Sequence, residues 1–243
     1  MTTTPEKLDA PKQLKRFYEK VATAAVEGGY AVHLDGRALR TPAKTVLVVP
    51  DESIAAAIAS EWAGQKDVIV PGSMPLTRLV NSAIDGVSRE PAETRAEILR
   101  YAGSDMLCYR SAGPANLVAL QDESWSPLIA WMHERFQARF LLAEGIVHVE
   151  QFPETIEAVD VALGDLDILR LAALNTITTL TGSAILAVAV LHRHLSAEEA
   201  WAAAHVDEDY QISLWGEDEE ARARRAGRWN EMQAAALVVA ARG

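Results

Sequence analysis

Apolar and polar positions alternate in the first fifty residues and repeat with a helical period after that. Phe17-Tyr18-Glu19-Lys20-Val21 and Ala24-Ala25-Val26 precede Gly28-Gly29, and Tyr30-Ala31-Val32-His33-Leu34 runs into Asp35-Gly36. Asp-Gly between alternating apolar runs signals a hairpin, because both residues tolerate positive φ. Thr41-Pro42 is followed by the β-branched run Thr45-Val46-Leu47-Val48-Val49, which stops at Pro50. The pattern predicts three or four short antiparallel strands, too few to bury a core without a helix packed on them. Asp51 can cap that helix, whose stripe is Ile54, Ile58 and Trp62.

Asp67 to Ser73, with Pro71-Gly72, reads as the crossing into a second part. Beyond it Leu76, Leu79, Val80, Ala83, Ile84 and Val87 keep a helical period. A further helix is expected over Trp125 to Leu142, starting at Ser124 with Pro127 in its first turn. Ser196 and Glu199 form a capping-box signature before an Ala-rich helix. The last helix opens after Gly216 with acids at its positive end, and Asp218–Arg222 and Glu220–Arg224 are spaced for ion pairs. The expected class is α+β. Residues 1–13 form a flexible tail, 14–72 a small antiparallel β-rich domain with a helix, and 73–243 a larger all-α helical bundle domain.

Composition narrows the function. The chain has 243 residues, is 49% hydrophobic and carries a formal net charge of −11. Such a balance argues against a nucleic-acid surface, which needs clustered cations. The one dense basic group, Arg222, Arg224, Arg225 and Arg228, follows an acidic run and is explained by pairing within a helix. A single cysteine, Cys108, forms no internal disulfide and fits a reducing compartment; between Leu107 and Tyr109 it reads as a small buried hydrophobe. Residues 1–12 lack the apolar stretch of a secretion signal and the arginines of a mitochondrial presequence, so a cytoplasmic location is expected. Leu171 to Leu191 has no charge and could span a bilayer by length. Its Asn175, four threonines and Gly182-Ser183 read instead as two buried helices meeting near Gly182, and no membrane insertion is expected.

Candidate chemistry is sparse. No GxxxxGK[ST] or GxGxxG is present, His133-Glu134 lacks a second zinc-binding histidine, and no nucleophile elbow occurs. His192 and His194, two apart at a helix end, point in different directions if helical and read as cations near a negative terminus. No cofactor and no small-molecule substrate are expected. The richest stretch is Asp207 to Glu220, where Glu208, Gln211 and Trp215 fall at i, i+3 and i+7 on one helix face, with Tyr210 among them. An indole beside hydrogen-bonding side chains suits binding to another protein, although a core role for Trp215 within an acidic rim satisfies the same spacing. The Asp207-Glu208-Asp209 cluster leaves a small hydrolase or acid–base enzyme as the alternative. Arg78, Asn81 and Asp85 line a second helix, either as part of a binding groove or as a network that fixes helix packing.

Taken in order, a series of motifs resembles one family. They are Lys15-Arg16-Phe17-Tyr18, Val32 to Arg37 with Thr41-Pro42, Ile58-Ala59-Ser60-Glu61-Trp62, Met74 to Asp85, Asp105 to Arg110, Trp125 with Trp131, and Glu208 with Tyr210-Gln211 and Trp215-Gly216. Over about residues 14–235 the chain is similar to the assembly chaperones of F-type ATP synthase that hold the alpha subunit before the catalytic head is built. Val80 stands where the family's alanine is expected. The resemblance implies a non-enzymatic, ATP-independent protein of two domains. It would bind the free alpha subunit, shield its subunit interface and be displaced on assembly, with Glu208 a functional residue. The contact residues expected on this basis are Glu208, Gln211, Trp215 and Tyr210, with Arg78 and Asp85 bordering them.

Overall fold

The computed structural model describes residues 14–241, so the expected tail at 1–13 lies outside the described residues. Strands β1 (Val21–Val26) and β2 (Gly29–Leu34) pair antiparallel, Val21 opposite Leu34 and Val26 opposite Gly29. Asp35 (φ 47°) and Gly36 (φ 79°) turn the chain into β3 (Arg37–Ala38), both left-handed as a two-residue hairpin turn requires. The short β4 (Val48–Val49) also pairs with β2, which is therefore central. Gly29 makes this possible: a Cβ there would sit 2.2 Å from the Val49 carbonyl oxygen.

Helix α1 (Glu52–Ala63) covers one face of this sheet. The Asp51 carboxylate accepts the Ser53 N–H at its start, and Ile54, Ala55 and Ile58 are buried against Val32, Leu34 and Val49. Its end clamps the next layer. Glu61 accepts from the Leu76 and Thr77 N–H groups (2.7 and 2.8 Å) and from the Thr77 hydroxyl, so it caps helix α2 (Pro75–Ser82) from outside that helix. Helix α2 runs on into a π-helical turn, Ala83–Val87. The apolar core is continuous from the sheet into the helices, across the expected crossing at Asp67–Ser73.

The remainder is predominantly helical. In order come α3 (Pro91–Gly103), β5 (Tyr109–Arg110), α4 (Ala115–Phe136), β6 (Ala143–Glu144), α5 (Pro153–Leu163), α6 (Ile168–Thr181), α7 (Ala184–Leu191), α8 (Ala197–Ala204), α9 (Val206–Trp215) and α10 (Glu219–Ala240). The sequence had pointed to helices alone here; β5 and β6 add a two-residue parallel pair. The uncharged run divides as expected. Gly182 (φ 69°) ends α6 in the left-handed region, and the Ser183 hydroxyl caps α7 at the Leu186 N–H. Asp105, with no exposed surface, accepts from the Ser183 hydroxyl, the Ile185 N–H and the Leu107 N–H. Burial pushes its pKa up to about 6 despite these donors. Cys108 is buried beside it, and burial likewise raises its thiol pKa. Among the described residues no helix is long and apolar enough to cross a membrane.

Three local expectations need correcting. Helix α4 begins at Ala115 rather than Ser124 and ends at Phe136 rather than Leu142, so Pro127 lies inside it. Its buried stripe is Leu117, Gln121, Trp125, Leu128 and Met132, and the polar Gln121 hides the first half of the period from a sequence reading. Glu220–Arg224 forms (2.6 Å), but Asp218 caps α10 at the Ala221 N–H and Arg222 turns to Glu217. His192 and His194 do not diverge: left-handed Arg193 folds the chain back, and both rings meet Trp131, His194 stacked on it at 4.3 Å.

A candidate docking face on helix α9

Helix α9 is short and held from behind. The capping box of Ser196 and Glu199 starts α8, and His205 turns the chain into α9. The His205 Nδ1 lies 2.7 Å from the Trp201 carbonyl, and burial pushes the imidazole pKa down. Buried Gln121 of α4 donates to Asp207 (2.6 Å) while its own oxygen accepts the Ser111 N–H. Tyr210, 8% exposed, donates its hydroxyl to Asn116 at the start of α4 (3.0 Å). Arg225 of α10 pairs with Asp209. Two neighbouring helices, α4 and α10, thus hold this ten-residue helix.

The other side is open. Glu208, Gln211 and Trp215 are all exposed, Trp215 by 81%, with Leu214 beside it at 53%. Trp215 is therefore not core, and the structure decides between the two readings of its spacing. Gly216 (φ 80°) stops the helix directly after the indole. A large aromatic in water, with Leu214 beside it, is apolar area that burial against another surface would favour. On the α4 side of α9 lies a cleft of about 520 Å³, lined by Leu120, Glu123, Ala202, Val206, Tyr210 and Ser213.

The six residues expected to bind a partner divide three ways. Glu208, Gln211 and Trp215 share the open face. Tyr210, grouped with them by sequence proximity, faces away, about 160°, 100° and 140° around the helix from Glu208, Gln211 and Trp215, and it acts as a seat. Arg78 pairs with Glu231 of α10 at 3.1 Å. Asp85 accepts from the Thr41 hydroxyl and the Ala43 N–H (2.7 and 2.9 Å), tying the π turn to the loop between β3 and β4. Asp85 thus joins the packing network, while Arg78, half exposed, is held by Glu231 and also lines a cleft of about 250 Å³ with Pro75, Thr176 and Leu180. Asn116, Gln121 and His205 were not anticipated; their polar character at helix-facing positions is the only local signal, and their partners are mostly distant in sequence.

The acids of the cluster are each engaged differently: Asp207 by Gln121, Glu208 near the His205 imidazole (3.7 Å), and Asp209 by Arg225. Among the described residues no three His, Cys, Asp or Glu side chains converge to hold a metal ion. The basic group is likewise not confined to one helix, since Arg228 donates to the Leu180 carbonyl of α6.

The α+β scaffold thus displays an exposed indole on a helix braced by α4 and α10. Residues 15–133 match the family model described as ATP12 chaperone protein. The mitochondrial protein atp12 of Schizosaccharomyces pombe is 28% identical over 220 residues, covering 85% of this chain and 75% of that protein. The crystal structure of Atp12 from Paracoccus denitrificans superposes with a TM-score of 0.84 at 39% identity, covering 93% of this chain and 97% of that one. A crystal structure from Agrobacterium tumefaciens, of a protein provisionally assigned as a chaperone, gives 0.89 at 48% identity, covering 93% and 85%. The chain belongs to the ATP12 chaperone family, the F-type ATP synthase assembly chaperones that its motifs resemble.

Proposed function

We propose that this protein holds the unassembled alpha subunit of F-type ATP synthase through the outer face of α9, without catalysis and without ATP, and leaves as the catalytic head closes. The observation that carries this reading is Trp215, 81% exposed on a helix whose opposite side is fixed to α4 and α10. A subunit interface left open before assembly is apolar and prone to aggregate, and covering it reversibly requires shape and polar register. Trp215 and Leu214 supply the apolar contact, and Glu208 and Gln211 the register. The net charge of −11 adds steering toward a basic surface. The reading keeps the protein in the cytoplasm, among newly made soluble subunits.

The test mixes the purified protein with isolated alpha and beta subunits in the absence of nucleotide. Complex formation and light scattering are followed together. Suppressed aggregation of the alpha subunit, through a complex that beta displaces, is the expected result; no association with alpha overturns the reading. Glu208→Lys separates the site from the activity: if it folds normally and captures alpha as well as the parent protein does, the α9 face is not the contact surface.

A further inference from the structure

A second surface, on the opposite kind of element, has its own recognition chemistry. The hydrogen bond from the Asp35 N–H to the Lys20 carbonyl (2.9 Å) fixes the alternation of the β1–β2 ladder. Ala22, Ala24 and Val26 direct their backbone groups at β2, and Val21, Thr23 and Ala25 direct theirs away from the sheet. The bond from the Leu39 N–H to the Val32 carbonyl agrees, because it gives the alternate residues of β2 to β3. Among the described residues no hydrogen bond reaches the outward N–H or C=O of Val21, Thr23 or Ala25.

Strand edges are normally blunted by charge, proline, bulges or brevity. Here Val-Ala-Thr-Ala-Ala-Val contains no charge or proline, pairs without a bulge over all six residues, and is exposed from Ala22 to Val26. Its small side chains leave room for larger ones on an added strand. A second copy of this chain is a poor occupant. The two-fold register that uses every outward group sets Thr23 opposite Thr23 and Val21 opposite Ala25, and it brings Glu19 opposite Glu27 at both ends. Like charges directly opposite are destabilising. Sliding by two residues sets Val21 opposite Glu27 in one direction and Ala25 opposite Glu19 in the other, an apolar residue against a charge in both.

We infer that the outer edge of β1 receives an extended segment of the client subunit as an added antiparallel strand, one with β-branched or aromatic residues at its centre and Lys or Arg at its ends. Backbone pairing holds the segment, and Glu19 and Glu27 select its charge. The inference rests on the reading of the alpha subunit as client and adds a second contact to the α9 face.

Amide hydrogen exchange resolved by residue tests it, with the full-length protein free and mixed with isolated alpha subunit. In the free protein Ala22, Ala24 and Val26 should exchange slowly, and Val21, Thr23 and Ala25 fast. The alpha subunit should slow the second set by at least about tenfold, the size expected for one net hydrogen bond per amide. Thr23→Pro removes an outward donor and no ladder bond. It should leave the melting temperature within a few degrees and weaken capture by at least about tenfold. If a complex forms while the three amides stay fast, the edge inference fails and the client reading stands. If no complex forms by light scattering, the client reading fails and takes the edge assignment with it. Outward amides slow in the free protein at every concentration would mean the chain covers its own edge, and slowing only at high concentration would mean a second copy does; either overturns the inference.

Discussion

Helices α7 and α9 are of similar length, eight and ten residues, yet Ala184 to Val190 are all buried in the one and only Tyr210 in the other. The first has no polar residue after its cap and is fixed by what surrounds it on every side. The second has acids in its first turn and is fixed by a few named bonds on one side. The first cannot change without disturbing the core, whereas the outer surface of the second can change at little cost to the fold.

Substitutions can sharpen that contrast, in order of their effect on folding. Asp105→Ala, which leaves the Ser183 hydroxyl and the Leu107 and Ile185 N–H groups without their acceptor, should cost about 3 kcal/mol or more in urea unfolding. The same residue gives the α7 region a pH dependence. Its folded pKa of about 6 lies above the unfolded value of about 3.9, so its contribution is fully present below pH ~4 and is lost as pH rises through 6. Between pH 4 and 7 the parent protein should lose up to about 3 kcal/mol relative to Asp105→Asn, read from urea midpoints of both. A flat difference would show that the three donors offset the burial.

Tyr210→Phe removes the bond to Asn116 and should lower stability by about 1 kcal/mol. Arg224→Ala breaks an exposed pair with Glu220 and should change stability by no more than about 0.5 kcal/mol. Trp215→Ala should alter the urea midpoint least of all, within about 0.5 kcal/mol, while weakening alpha-subunit capture about thirtyfold. A large loss of stability at Trp215, or none at Asp105, would erase the distinction between the two helices.

The sheet, α1 and the break at Gly182 were legible because each is written locally: Asp35-Gly36 as a turn, Asp51 as a cap, and Gly182-Ser183 as a stop followed by a start. The open face of α9 was legible for the same reason, since i, i+3 and i+7 need only helical spacing. What stayed hidden depends on distant partners. Gln121 reads as polar in a stripe until Asp207, 86 residues away, is brought to it, and so the first half of α4 was missed. The inward turn of Tyr210 needed Asn116 at 94 residues' remove. Asp85 is taken by Thr41 and Ala43, which spacing alone does not show, whereas Arg78 pairs with Glu231 and still lines a cleft. Burial also decided what spacing could not, leaving Trp215 in solvent.

The seclusion of Cys108 has a practical side. The chain's single thiol is wholly enclosed, with its pKa raised by burial so that little thiolate forms at neutral pH. A thiol so enclosed does not meet a sulfhydryl on another molecule in the folded state, so surface contacts leave it unoxidised. The same enclosure makes the protein a ready-made blank for mapping: one cysteine placed at Gln211 or at Thr23 would be the sole reactive point, and each surface could be cross-linked to a client in turn.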